Sequence, residues 1–123
     1  MESLQGLMQR AALIAAAVTI VATAGLHSIL GERRLITPLI RTSDGVMRSD
    51  LAATVLRLAW HFTSILMILS AALLLLQPTR TTIAAIGATY FAVGLLDGLF
   101  TRGRHIGWLP LTLSGALTLA ALL

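Results

Sequence analysis

Four long apolar segments follow one another along the chain, separated by shorter stretches that contain charged and turn-forming residues. The first includes an uncharged run at residues 11–30, and a helix of about 20 apolar residues crosses a hydrocarbon core about 30 Å thick. The pattern predicts an all-α integral membrane protein, an antiparallel four-helix bundle with spans at about 8–30, 50–76, 81–100 and 106–123. Residues 1–123 are then one transmembrane domain.

The connections between these spans differ in length. Residues 31–49 form the longest one, and arginines alternate there with aliphatic residues, which favours a segment lying in the membrane interface. Pro38 is expected to break any long helix in this connection. The second span stops at Gln77-Pro78, and the short connection that follows predicts that spans two and three are antiparallel neighbours.

Composition indicates the same class of protein. Hydrophobic residues make up 57% of the chain and charged residues 11%, whereas soluble domains average roughly 45–50% and about 25%. The nine basic residues are all arginines, and they lie at the ends of the apolar segments rather than together on one polar element. We therefore expect the lipid bilayer as a partner and no nucleic acid. The absence of cysteine excludes thiolate metal sites and cysteine catalysis.

The arginines also predict the orientation in the membrane. The connections at 31–49 and 101–105 contain six of the nine arginines, whereas the opposite side contains only Arg10 and Arg80. By the positive-inside rule, both arginine-rich connections are cytoplasmic and both termini face outward.

The second span carries a polar stripe that is unusual in an apolar segment. Arg57 and His61 are four residues apart and share one helical face with Asp50, Thr54 and Ser64. Ionisable side chains are costly in hydrocarbon, so they face other helices or water and are functional candidates by default. At the standard helical rise, Arg57 and His61 lie about 9 and about 15 Å into the span.

The other ionisable residues of the spans are predicted to lie in the same, cytoplasmic half of the bilayer. His27 and Glu32 end the first span, Asp97 ends the third, and His105 begins the fourth. The predicted ligand- or ion-binding residues are Arg57, His61, Asp97, His27 and Glu32. Asp97 is the expected partner of Arg57 in an ion pair between spans two and three. Alternatively, the planar guanidinium of Arg57 binds a phosphate or carboxylate headgroup.

Three functions are compatible with such a site. The first is the binding or passage of a small ion, a proton or a lipid headgroup. The second is a redox or hydrolytic membrane protein that holds a metal or haem through His27, His61 and His105, although no spacing matches a metal-binding motif. The third is a structural or accessory subunit. Gly94 and Gly98 form a GxxxG pair that permits close helix approach, and through it a homo-oligomer. The sequence does not decide whether the protein is an enzyme.

Two sequence blocks resemble a family of small, uncharacterised four-helix proteins of the bacterial inner membrane. One block is His-Ser-x-Leu-Gly-Glu-Arg at residues 27–33, and the other is Leu-Arg-x-Ala-Trp-His-x-Thr-Ser at residues 56–64. The resemblance covers the first two spans and the connection between them. It implies a four-helix bacterial inner-membrane protein and brings with it no activity, substrate or cofactor.

Overall fold

The computed structural model describes residues 3–123, which fold almost entirely into helices and contain no strand. The elements in chain order are α1 (Leu4–Gly31), a π-helical turn (Glu32–Ile36), α2 (Thr37–Arg41), a 3-10 turn (Gly45–Arg48), α3 (Asp50–Leu76), α4 (Arg80–Phe100) and α5 (Trp108–Ala120). The four longer helices, α1, α3, α4 and α5, correspond to the four predicted spans. The all-α prediction is therefore confirmed.

Three helical segments are long and apolar enough to cross a membrane: Leu4–Arg41, Asp50–Leu76 and Arg80–Phe100. The fourth helix, α5, has 13 residues and is therefore about 20 Å long, less than a hydrocarbon core of about 30 Å. It is shorter than the span predicted at 106–123, because residues 101–107 form turns and bends before it begins and residues 121–123 lie outside the helix at its end. Arg102 and Gly103 adopt left-handed backbone conformations there, with φ of 52° and 71°.

The helical path does not end at Pro38, and that prediction is wrong. The π-helical turn follows α1 directly, and the Thr37 N–H donates to the Glu32 carbonyl five residues earlier. Pro38 then occupies the first turn of α2, where a residue without an N–H is tolerated. The connection at 31–49 is consequently helical over most of its length.

Helix α1 packs against α3 on one side and against α5 on the other, and α5 packs along α4. The order of packed helices is thus α3, α1, α5, α4. Helices α3 and α4 make little direct contact, so the prediction that they are packed neighbours is wrong. The physical reason is that α4 packs closely along α5, where glycines let the two main chains approach, whereas a short connection limits only the distance between two helix ends.

The distribution of side chains is the reverse of that in a soluble domain. Large aliphatic and aromatic residues lie on the outer surface, as for Leu58 and Phe62, which are 65% and 57% exposed. The interior of the described chain contains alanines, a few larger aliphatic residues, Tyr90, and the small hydroxyl-bearing side chains of Thr23, Ser64, Ser114 and Thr118. Small and hydroxyl-bearing residues at helix contacts are typical of helices that associate in lipid.

Glycines on both helices bring α4 and α5 close together. Gly94 lies directly against the main chain of Thr112, and Gly115 lies directly against that of Phe91. Gly98 faces the Trp108 side chain. The face that carries the GxxxG pair is therefore covered by α5 of the same chain. A second copy of the protein would have to associate through another surface.

Replacing Gly115 by alanine should destabilise the protein, because the added Cβ would collide with the main chain of Phe91. We expect a loss of about 1–3 kcal/mol, the usual cost of overpacking, measured by SDS titration of the detergent-solubilised protein with circular dichroism. Gly25→Ala is the matched control, because a Cβ there meets nothing within 4 Å. That control should be neutral or slightly stabilising. Equal stability of the two variants would contradict this packing of α4 and α5.

Candidate functional site

Glu32 is the centre of a polar cluster between α1 and α3, formed by Ser28, Glu32, Thr37, Arg57 and His61 and called here the Glu32 cluster. Arg57 Nε donates to Glu32 Oε1 at 3.0 Å and to Oε2 at 3.2 Å. Arg57 Nη2 lies 3.0 Å from Oε1. Thr37 Oγ1 donates to the same Oε1 at 2.7 Å. Glu32 and Arg57 thus form an ion pair that a neighbouring hydroxyl reinforces.

His61 connects this carboxylate to a hydroxyl group on α1. Its Nε2 lies 3.2 Å from Glu32 Oε2, and its Nδ1 lies 2.6 Å from Ser28 Oγ. A carboxylate that is paired with Arg57 can only accept hydrogen bonds, so Nε2 carries the hydrogen. In a neutral imidazole Nδ1 is then an acceptor, and the Ser28 hydroxyl donates to it. The result is an unbroken chain of hydrogen bonds from Ser28 through His61 to Glu32.

The helical spacing explains why these residues meet. Ser28 near the end of α1 and Glu32 at the start of the π-helical turn are four residues apart, and Arg57 and His61 are four residues apart in α3. Residues at this spacing share a helical face, and α1 packs against α3. The cluster therefore consists of two facing pairs of side chains and a fifth residue, Thr37, which follows the π-helical turn as the first residue of α2.

The rest of the predicted stripe on α3 is not part of the cluster. Ser64 is buried, and among the residues that the structure describes its hydroxyl has no hydrogen-bond partner. Asp50 and Thr54 are exposed near the start of the helix. Two residues of the predicted stripe, Arg57 and His61, do belong to the cluster, whereas Ser28 and Thr37 were not predicted as site residues. Their one sequence signal is spacing from Glu32, by four residues for Ser28 and by five for Thr37.

His27 belongs to a neighbouring contact with Trp60. The two rings are stacked, with centroids 4.3 Å apart and planes at 6°, and Trp60 Nε1 donates to the His27 carbonyl at 3.0 Å. His27 Nε2 lies 2.9 Å from Thr63 Oγ1. The Trp60 ring also lies directly over Gly31, where a Cβ would overlap it. This contact packs α1 against α3 beside the Glu32 cluster.

Asp97 and His105 form a separate pair between α4 and the turns before α5. His105 Nδ1 lies 2.6 Å from Asp97 Oδ2. The predicted ion pair between Arg57 and Asp97 is therefore wrong: Arg57 binds Glu32 instead. The physical reason is the order of helices, since α1 rather than α4 covers the Arg57 face of α3.

The three histidines do not converge on one point. His27 contacts Trp60 and Thr63, His61 lies between Ser28 and Glu32, and His105 pairs with Asp97. Within residues 3–123, no group of three His, Cys, Asp or Glu side chains is arranged to hold a metal ion. The geometry gives no support to a metal or haem site built from His27, His61 and His105.

No protein-family model matches the chain. Neither a curated protein nor a solved structure matches it. The function must therefore be inferred from the Glu32 cluster itself, the one place where the structure brings several of the predicted site residues together.

A set of double-mutant cycles should show that Arg57 is coupled to Glu32 and not to Asp97. We expect Arg57→Met and Glu32→Gln each to lower stability in SDS titrations, and their combination to cost less than the sum, because both remove the same ion pair. Arg57→Met combined with Asp97→Asn, the matched control, should be additive to within about 0.5 kcal/mol. Coupling to Asp97 without coupling to Glu32 would refute the observed pairing.

Proposed function

We propose that this chain is a small multi-pass protein of a bacterial inner membrane, an antiparallel helix bundle whose Glu32 cluster binds and releases a proton. The membrane assignment is supported by three helical segments of sufficient length and hydropathy. It is also supported by large apolar side chains on the outer surface and small ones at the helix contacts. The resemblance of residues 27–33 and 56–64 to small bacterial membrane proteins favours the inner membrane.

In the proposed topology both termini face outward, and the connections at 31–49 and 101–105 face the cytoplasm. The segment Leu4–Arg41 has 38 residues and is about 57 Å long, which exceeds a core of about 30 Å. Its last turns, with Arg33, Arg34 and Arg41, therefore extend into the cytoplasmic interface. The Glu32 cluster lies where this helix leaves the hydrocarbon.

Charge balance favours a proton over the other small ligands. The charges of Arg57 and Glu32 offset each other, so an added anion would compete with Glu32 for Arg57, and an added cation would compete with Arg57 for Glu32.

The unbroken hydrogen-bond chain from Ser28 through His61 to Glu32 is the observation that carries the proposal. Neutral His61 accepts from the Ser28 hydroxyl at Nδ1. When His61 takes up a proton, Nδ1 donates to Ser28 Oγ instead, and the Glu32 carboxylate faces the resulting imidazolium. Only the hydroxyl hydrogen has to turn, so the proton can enter and leave while the helices stay in place.

A structural role is the second candidate, and the same contacts favour it. Glu32 and His61 each have partners on the opposite helix or turn, so the cluster can serve to fasten α1 to α3. In that role the cluster works without any change in the protonation of His61. The two candidate functions therefore differ in one measurable property, the uptake of a proton by His61 in the folded protein.

The proton site can be tested by NMR of protein labelled with ¹⁵N-histidine in lipid nanodiscs. At high pH, His61, assigned by comparison with His61→Gln, should show the neutral tautomer with hydrogen on Nε2. As the pH is lowered while the protein stays folded, the same ring should become doubly protonated, with Nδ1 now donating to the Ser28 hydroxyl. In the control variant His105→Gln this change should persist. A His61 signal that keeps one form throughout would support the structural role.

Passage of protons, as distinct from binding, requires a measurement of flux. Proteoliposomes that enclose a pH-sensitive dye and carry an imposed potassium potential should acidify faster than protein-free liposomes if protons pass through the cluster. His61→Gln should remove this difference and His105→Gln should keep it. Equal rates for protein and empty liposomes would limit the function to binding.

A further inference from the structure

Ser28 has the hydrogen-bond environment of an activated nucleophile. Its hydroxyl lies 2.6 Å from His61 Nδ1, and when the ring is neutral the hydroxyl donates to Nδ1, because Nε2 donates to Glu32. A hydroxyl, a base that receives its hydrogen, and a carboxylate that orients the base are the three roles of a nucleophilic triad. Such constellations are recognised by geometry and roles rather than by fold or sequence position.

The His61 ring is fixed at both ends, which a general base requires. Glu32, which orients it, is itself held by Arg57 at 3.0 Å and by Thr37 at 2.7 Å. Ser28 is half-buried, and the His61 side chain is 36% exposed, so a molecule dissolved in the membrane can approach the hydroxyl. In the proposed topology this position is the cytoplasmic half of the bilayer.

We propose that Ser28 is a nucleophile that reacts with carboxylic esters dissolved in the cytoplasmic half of the membrane. Ser28 Oγ forms a bond to the carbonyl carbon while its proton moves to His61 Nδ1. The bond from that carbon to the alcohol oxygen then breaks, and the leaving oxygen takes the proton from His61. A water molecule attacks the acyl-serine in the same way, which releases the carboxylic acid and restores the Ser28 hydroxyl.

This inference rests on the proposed function in one respect, namely that His61 takes up a proton. The chemistry should be slow, because Ser28 lies inside α1, where backbone N–H groups are bound within the helix. Loss of a single oxyanion donor typically lowers kcat about 10²–10³-fold. A fluorophosphonate is therefore the sharper probe, since it reports covalent capture by an activated serine without the need for turnover.

The experiment treats the full-length protein in lipid nanodiscs with a tagged fluorophosphonate and locates the adduct by mass spectrometry. We expect labelling at Ser28, none in Ser28→Ala, and a rate in His61→Gln that is lower by about 10²-fold or more. Ser64→Ala and His105→Gln are the controls, and both should be labelled at the wild-type rate. Circular dichroism and gel filtration show which variants are folded.

The pH dependence separates an activated serine from a merely accessible one. Wild-type labelling should slow as the pH is lowered, because an imidazolium cannot accept the hydrogen of Ser28. The His61→Gln profile should be flat. Absence of labelling, labelling elsewhere, or an equal rate in His61→Gln would overturn the inference. If NMR shows protonation of His61 while Ser28 stays unlabelled, the nucleophile is refuted and the proton site remains.

Discussion

The ion pair between Glu32 and Arg57 is the contact on which the polar site depends. An unpaired guanidinium inside an apolar helix is costly, and the π-helical turn of the facing segment supplies its carboxylate. In a regular α-helix, residues five apart do not share a face. The wider register of the π-helical turn brings Thr37 to Glu32, where it donates a further hydrogen bond. This local irregularity of the backbone, of a kind often found at functional sites, thus supplies two partners of the cluster, and the helical path continues past Pro38.

The helical segments were predictable from the apolar runs, whereas their arrangement was not. A short connection makes α3 and α4 look like neighbours, but the connection only limits the distance between two helix ends. Which faces pack along their length depends on shape, and Gly94 and Gly115 remove the side chains that would hold α4 and α5 apart. The sequence reveals a GxxxG pair without revealing which helix covers it.

The residues of the candidate site were also only partly predictable from the sequence. Arg57 and His61 are conspicuous because ionisable residues are rare in apolar segments. The choice between Glu32 and Asp97 as the partner of Arg57 depends on which helix covers α3, and that is a property of the tertiary structure. Ser28 gave no signal by itself, since a helical serine commonly bonds to the carbonyl one turn earlier. Its role becomes visible only when His61 is seen to lie opposite it.

The two proposed uses of the cluster differ in the charge that they create. Uptake of a proton from the cytoplasm adds a positive charge to a group in which Arg57 and Glu32 already balance. Transfer of a hydroxyl proton from Ser28 to His61 only separates charge within the cluster. The first use requires contact with water or anionic headgroups, and the second tolerates burial. In the proposed topology, with 44% of the Arg57 side chain and 36% of the His61 side chain exposed and arginines in the next turn, the cluster lies at a depth where each reaction is physically accessible.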